Sequence, residues 1–239
     1  MSMKSLPVLF VMLVALVFCQ LAARADTQTG LAGYWPLNGD GVDASTNRND
    51  GTIVGDVSPA PNRYHVGSAA MRFPGETDAY IDVSDPEQLQ ITGAMSISAW
   101  VFLDGSNGTS GHIVTKQGDA GNAAWDLGIE IGPDGVTRVA TFAVAGGPLD
   151  LARVSDTQPF PTDRWVYITG IYRPYESVEI YFDGMLQAEE FAGVPDNQFS
   201  NNGFPVLIGS GWDGLIDEVR IYDRALSPSE VMALYALGK

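Results

Sequence analysis

Asp217 is the carboxylate in this sequence whose surroundings most constrain its chemistry. In DEVRIY (217–222) a period-two strand groups Asp217 with Val219 and Ile221 and sets Glu218, Arg220 and Tyr222 on the more polar side. The alternation therefore expects the Asp217 carboxylate on the core side. An ionised carboxylate is too costly to bury alone, so it must be protonated, paired or metal-bound. Three arrangements meet that demand: a calcium ion, a buried pair with an arginine or a backbone cap, and partial exposure at a strand end. Calcium takes about six to eight oxygens. The segment Asn38-Gly39-Asp40-Gly41-Val42-Asp43 offers two carboxylates and an amide oxygen, with glycines that let the backbone turn its carbonyls inward. Asp217, Asp40, Asp43 and Asn38 are thus the metal-site candidates, weighed against an ordinary turn with solvated acids. No EF-hand loop is present.

Glycoside hydrolysis needs two carboxyl groups flanking the sugar bond. The nearest pairs are Asp126 with Glu130 in WDLGIEI and Glu176 with Glu179 in YESVEIYF. Residues four apart on a strand share a face but stand roughly 13 Å apart, and residues three apart face opposite sides. No catalytic residue is assigned on this basis. The two histidines, His65 and His112, cannot build a His-rich zinc site, and neither lies near a G-x-S-x-G elbow. Both read as edge or loop residues. No P-loop is present, and the acidic balance of the chain disfavours phosphate ligands. Sugar binding remains, since it asks for an aromatic ring against the apolar face of a pyranose, with amides nearby. Trp125, Phe199 and Trp212 follow turn-rich segments, and Trp125, Asn201 and Asn202 are the ligand-binding candidates, although each ring equally suits a core. Trp35, Trp100 and Trp165 lie inside strand motifs and are expected in the core. Asn107-Gly108-Thr109 fits a short glycosylation sequon.

The elements that would position these groups are strands. Alternating runs recur at 95–103, 125–131, 164–172, 178–186 and 217–222, separated by clusters of Gly, Pro, Asn and Asp. Within 178–186, Val178, Ile180 and Phe182 share one face and Glu179, Tyr181 and Asp183 the other, and Asp183-Gly184 predicts a hairpin turn. One helix is expected at the end of the chain. Ser227 caps it, Pro228 takes its first position and Glu230 completes a capping box. Val231, Leu234 and Tyr235 would pack on the sandwich and seal its edge. The pattern is all-β, a two-sheet antiparallel sandwich with a short C-terminal helix.

Length and composition agree. The 239 residues carry 29 acidic against 13 basic side chains, a formal charge of −16, with one cysteine, 27 glycines and 45% hydrophobic residues. A disulfide scaffold, a disordered chain and a basic nucleic-acid binder are excluded. Residues 1–25 read as a secretory signal: Lys4 is the positive flank, Leu6 to Cys19 the apolar run, and Ala23-Arg24-Ala25 the small-x-small cleavage pattern. That run falls short of the ~20 residues that span a bilayer, so no membrane span is expected in the mature chain. Residues 26–239 are expected to form one domain without disulfides, in which a divalent cation would be a natural staple.

The segments GYWPLNGDGVDAS (33–45), NDGTIVG (49–55), HVGSAAMRFPG (65–75), SISAWV (96–101), VEIYFDGML (178–186) and GLIDEVRIYDRALSPSEVMALY (214–235) resemble the laminin-G-like, concanavalin A-like jelly-roll family. The resemblance covers essentially the whole mature chain. It implies two stacked antiparallel sheets, with the N- and C-terminal segments adjacent and often joined by calcium, which would bring the 38–43 loop beside Asp217. The E-x-D-x-E strand of β-glucan hydrolases on this fold has no counterpart here. The reading that follows is a secreted, or in a Gram-negative bacterium periplasmic, calcium-stabilised and non-catalytic module for a polysaccharide or a cell-surface protein. A carbohydrate-active enzyme with an atypical acid pair and a structural protein-docking module are the alternatives.

Overall fold

The computed structural model describes residues 27–104, 110–117, 123–147, 150–199 and 203–238. The strands run in chain order as β1 (Leu31–Trp35), β2 (Thr52–Val54), β3 (Ser58–Ala60), β4 (Ala70–Pro74), β5 (Tyr80–Asp82), β6 (Met95–Leu103), β7 (Gly111–Gln117) and β8 (Ala123–Ile131). They continue as β9 (Arg138–Gly147), β10 (Asp150–Ser155), β11 (Trp165–Arg173), β12 (Ser177–Phe182), β13 (Met185–Glu190), β14 (Val206–Ile208) and β15 (Asp213–Tyr222), before helix α1 (Pro228–Leu237). An eight-stranded sheet has the order β13-β12-β11-β6-β15-β4-β3, with β1 also on β15. The seven-stranded sheet has the order β10-β9-β8-β7-β14-β5-β2. All pairings are antiparallel, as expected of a jelly roll.

Alternation builds the core. In β6, Ile97, Ala99 and Val101 face the opposite sheet, and in β8 Trp125, Leu127 and Ile129 do the same. The 178–186 hairpin forms as the sequence indicates: Phe182 pairs with Met185 across Asp183-Gly184, both at positive φ, the conformation a two-residue turn needs. Ser227 and Glu230 make the capping box. Their helix does not seal an edge, however. Val231 and Leu234 pack on Trp100, Tyr167 and Tyr222, so α1 covers the outer face of the eight-stranded sheet over its middle strands. Trp35 is in the main core, whereas Trp100 lies under the helix and Trp165 is half-buried beside it.

The alternation expected at Asp217 is overturned by a bulge. Asp217 stands opposite Trp100, but the next in-register pair is Arg220 with Ser98, so one residue is gained between them. Glu218 absorbs it at φ 58°. Asp217 therefore shares the outer side of the sheet with Trp100, not the core side with Val219. It is nonetheless buried, at 2% exposure, because Arg63 covers it: Nη1 donates to Oδ2 at 2.6 Å, and the guanidinium lies 4.6 Å from the Trp100 ring. Arg63 Nε also donates to the Gly238 carbonyl, tying the helix end to the same place. Burial and the neighbouring Glu218 charge push the Asp217 carboxyl up to about 7 against the pull of Arg63.

Arg63→Ala should cost about 3 kcal/mol, the scale for removing one partner of a buried ion pair. Asp217→Asn should cost less, because an amide oxygen still accepts from Arg63. Since the folded-state pKa of Asp217 is raised, its contribution to stability is complete below about pH 3.9, the unfolded value, and is lost as pH rises through about 7. Urea unfolding at several pH values checks this. An unchanged pH slope in Asp217→Asn, or a loss within about 0.5 kcal/mol for Arg63→Ala, would reject the role of the pair.

Candidate functional site

The four residues expected to hold calcium are not assembled into one site. Asp217 is taken by Arg63 on the outer side of the eight-stranded sheet. Asp43, 1% exposed, is saturated: Oδ1 accepts from the backbone N–H of Tyr34 (2.9 Å) and Ser45 (2.8 Å), and Oδ2 from Ser45 Oγ (2.9 Å) and the Asn49 N–H (2.8 Å). It closes the loop after β1. Asp40 caps the Val42 N–H and, like Asn38, is exposed. Among the described residues no group of three or more His, Cys, Asp or Glu is placed to hold a metal ion. A guanidinium on one carboxylate and four N–H or O–H donors on another do not fit a shared calcium ion.

Trp125 does not form a ligand platform either. β8 begins two residues before it, and its ring is fully buried in the core with Leu127 and Ile129. Trp212 is likewise buried, while Phe199 stays 41% exposed and is fixed to the end of β9 by its N–H to Ala145 O. Asn201, Asn202, the sequon at 107–109 and the segment 1–25 lie outside the described residues.

The polar groups converge on the outer face of the seven-stranded sheet. With Trp125, Leu127 and Ile129 inward, Asp126, Gly128 and Glu130 must face out. Register then carries each row sideways. One runs Arg153, Ala143, Asp126, Thr115, Leu207, Asp82 and Thr52 across all seven strands, and the next runs Ser155, Thr141, Gly128 and His112. Short side chains occupy the middle of both rows, and His112 and Arg153 stand at their sides. The result is a trough spanning β7 to β10, on the order of 14 Å at ordinary strand spacing.

Two ion pairs order the trough. His112 Nδ1 lies 2.7 Å from Asp126 Oδ1, which leaves Nε2 for a ligand. Arg153 reaches over β9 to Glu130. Burial opposes protonation of His112, but the hydrogen bond and charge of Asp126, helped by Glu130, outweigh it and hold the imidazole above its ordinary range. No serine, threonine or cysteine side chain among the described residues hydrogen-bonds His112, so the pair has no attached nucleophile. At one end the trough opens into a cavity of about 710 Å³, with Glu130, Ile131, Pro133, Asp134, Asp156 and Pro159 in its walls, within the roughly 300–1,000 Å³ typical of small-ligand sites.

Asp126, Glu130 and His112 stand out in the sequence as acids and a histidine without catalytic spacing, whereas Thr141, Arg153 and Ser155 do not stand out. The signal for the latter was present as alternation within TFAVA and DLARVS. Only cross-strand register joins those faces to β8.

The fold and this face define a jelly-roll domain with a polar trough on one sheet. The chain belongs to the concanavalin A-like lectin/glucanases superfamily, whose family model matches residues 75–232. The Adhesion G-protein coupled receptor V1 of Danio rerio is 25% identical over 189 residues, which is 75% of this chain and 3% of that receptor. Domain 4 of AbnA, a GH43 extracellular arabinanase from Geobacillus stearothermophilus solved with arabinotriose, superposes with a TM-score of 0.64 at 19% identity over 86% of this chain and 98% of that domain. The binding domain of Paraclostridial Mosquitocidal Protein 1 gives a TM-score of 0.70 at 17% identity, over 87% of this chain and 52% of that one. Among the described residues no helix is long and apolar enough to cross a membrane.

Because the His112 pKa is raised in the folded state, the stability it contributes is full below about pH 6.5, the unfolded value, and is lost as pH rises through the folded one. A proton NMR titration should place the His112 midpoint above the ordinary imidazole value of about 6.5 and bring it back toward that value in Asp126→Asn. An unmoved midpoint in the variant would discard the pairing.

Proposed function

We propose that this chain is an exported, non-catalytic saccharide-binding module that uses the outer face of the seven-stranded sheet. The observation that carries this reading is the polar face itself: His112, Arg153 and Ser155 are at least partly exposed in two adjacent rows, with the buried Asp126 and Thr141 between them. Such a surface offers donors and acceptors in fixed directions for sugar hydroxyls. The exposed Phe199 stands near the β9 end as a stacking surface. The likeness to a domain solved with arabinotriose supports the reading at the level of fold.

Binding without turnover follows from how the acids are engaged. Asp126 is occupied by His112 and Glu130 by Arg153, and the four-residue spacing on β8 separates them by roughly 13 Å. That exceeds the roughly 5–9.5 Å of glycosidase carboxyl pairs. On the eight-stranded sheet Glu179 accepts from Ser177, Arg173 and Tyr181, which leaves it no free oxygen to act on a substrate. The N-terminal Lys4, the apolar run Leu6 to Cys19 and Ala23-Arg24-Ala25 support export.

A glycan array followed by calorimetric titration tests the module. Arg153→Ala and Asp126→Asn should each weaken the best ligand by about tenfold, the loss of one charge-assisted hydrogen bond, while melting changes little for the exposed Arg153 pair. Full affinity in both variants would remove the site from this face, and reducing ends released from any polysaccharide would replace binding with hydrolysis. Expressed with its leader in a secreting host, the chain should begin at Asp26 by N-terminal sequencing. Retention of residues 1–25 in the exported form would refute the cleavage.

A further inference from the structure

Four aromatic rings stand exposed among the described residues, and three of them, Tyr175, Phe191 and Phe199, lie at one end of the sandwich. Tyr175 is in the turn between β11 and β12, and because Glu190 pairs with Val178, Phe191 leaves β13 beside the start of β12. The Tyr175 N–H donates to Pro195 O at 3.1 Å, and Pro195 packs on Gly146, where a Cβ would stand only 2.5 Å from it. Phe199 is held by Ala145 through its own N–H. The segment from Pro195 to Phe199 thus joins the Tyr175 turn to the end of β9.

Tyr175 is the residue that packing does not explain. Arg173 O accepts from the Glu176 N–H at 3.0 Å, which makes a turn with Pro174 second and Tyr175 third, at φ 63°. A positive φ at the third place calls for glycine or asparagine, and a bulky side chain there is strained. Strain of this kind clusters at binding sites. The ring gains no burial in return: it is 74% exposed, and its Oη donates to Asp196 Oδ2 at 3.0 Å, so it is fixed in direction while most of its surface meets solvent. Phe191, 63% exposed, also stands on a fixed backbone, since Glu190 Oε1 accepts from the N–H groups of Phe191 (2.9 Å) and Ala192 (2.8 Å). Rings held in place bind with little ordering cost.

We propose that Tyr175, Phe191 and Phe199 form a stacking subsite for the apolar faces of pyranose rings, continuous with the trough, so that the ligand is an extended neutral polysaccharide and not a short terminal glycan. The assignment rests on the reading of the trough as a saccharide site and names the class of saccharide. Leu151 bridges the two surfaces: it is exposed on the same face of β10 as Arg153, two residues nearer this end, and pairs with Ala145. Asp150, Glu176 and Asp196 are exposed in the same segments. They offer acceptors to sugar hydroxyls and, with the formal charge of −16, repel acidic glycans and anionic lipid. A neutral chain meets no such penalty.

The test is calorimetry on the full chain with neutral β-linked oligosaccharides of glucose, xylose, mannose or galactose, from disaccharide to octasaccharide. In the series that binds, affinity should rise at least about tenfold from disaccharide to octasaccharide. Tyr175→Gly should weaken the octasaccharide by about tenfold, the loss of one ring's stacking, and leave the disaccharide unchanged. Glycine is relaxed at φ 63°, so this variant should melt no lower than the parent, which separates lost binding from lost folding. Phe191→Ala, at an exposed position, should repeat the pattern. Affinity independent of chain length, or octasaccharide binding unchanged in both variants, overturns the aromatic subsite, and the trough stands if Arg153→Ala still weakens every length. Binding of the parent to phosphatidylserine vesicles that Tyr175→Gly removes overturns the subsite in favour of a lipid contact. Absence of binding by every oligosaccharide overturns the trough reading with it.

Discussion

The bulge at Asp217 and Glu218 is the constraint around which the eight-stranded sheet is organised. β15 pairs along one side with β6 throughout, but along the other it pairs first with β4, through Asp213 to Ile216, and then with β1, through Val219 to Tyr222. The extra residue lies where one partner ends and the next begins. A left-handed Glu218 would be unfavourable without support, and its carboxylate is held by Tyr34 Oη at 2.9 Å and Arg220 Nη2 at 2.6 Å. Tyr34 and Arg220 are themselves partners across β1 and β15, and the guanidinium lies 4.0 Å from the ring. Asp217, turned outward by the same bulge, receives Arg63, which in turn holds the end of α1. The bulge thus links β1, through Tyr34, and the end of α1, through Arg63, to the same part of β15.

The second sheet is free of such a cover. α1 and its preceding segment lie over the middle strands of the eight-stranded sheet, where Ser96 Oγ accepts from the Leu226 N–H and donates to Arg224 O. The outer face of the seven-stranded sheet carries no helix among the described residues and leaves Arg153 and Ser155 exposed and His112 partly exposed. Division of labour between the sheets follows from where the C-terminal segment docks, and that docking is set by aromatic rings: Trp100, Tyr167 and Tyr235 meet at centroid distances of 5.3 to 6.3 Å.

Charge is treated differently at the two places. In the trough, the Glu130–Arg153 pair stays partly solvated and can exchange partners with a ligand at modest cost, while Asp126 is buried beside the partly exposed His112. Around Asp217 the pair is buried and closed by packing, which suits an anchor and not a binding site. An inward-reading carboxylate in the sequence was therefore a sign of structure. Of the β8 acids, Asp126 is buried beside His112, and Glu130 is half-buried in its pair with Arg153.

Strand identity, the Asp183-Gly184 hairpin, the capping box at Ser227 and the all-β class were legible because each depends on residues close in sequence, where alternation, turn preference and capping act locally. The same locality explains the failures. Asp217 was misassigned because a bulge depends on which strands flank β15, and Trp125 because its strand starts two residues earlier than its turn-rich approach suggested. The trough could not be read at all, since Arg153, Thr141, Gly128 and His112 come from four strands and become neighbours only through register. Sequence determined which faces are apolar and which polar; tertiary structure decided which polar faces meet, because hydrogen-bonded pairing between distant segments carries no signature within any one of them.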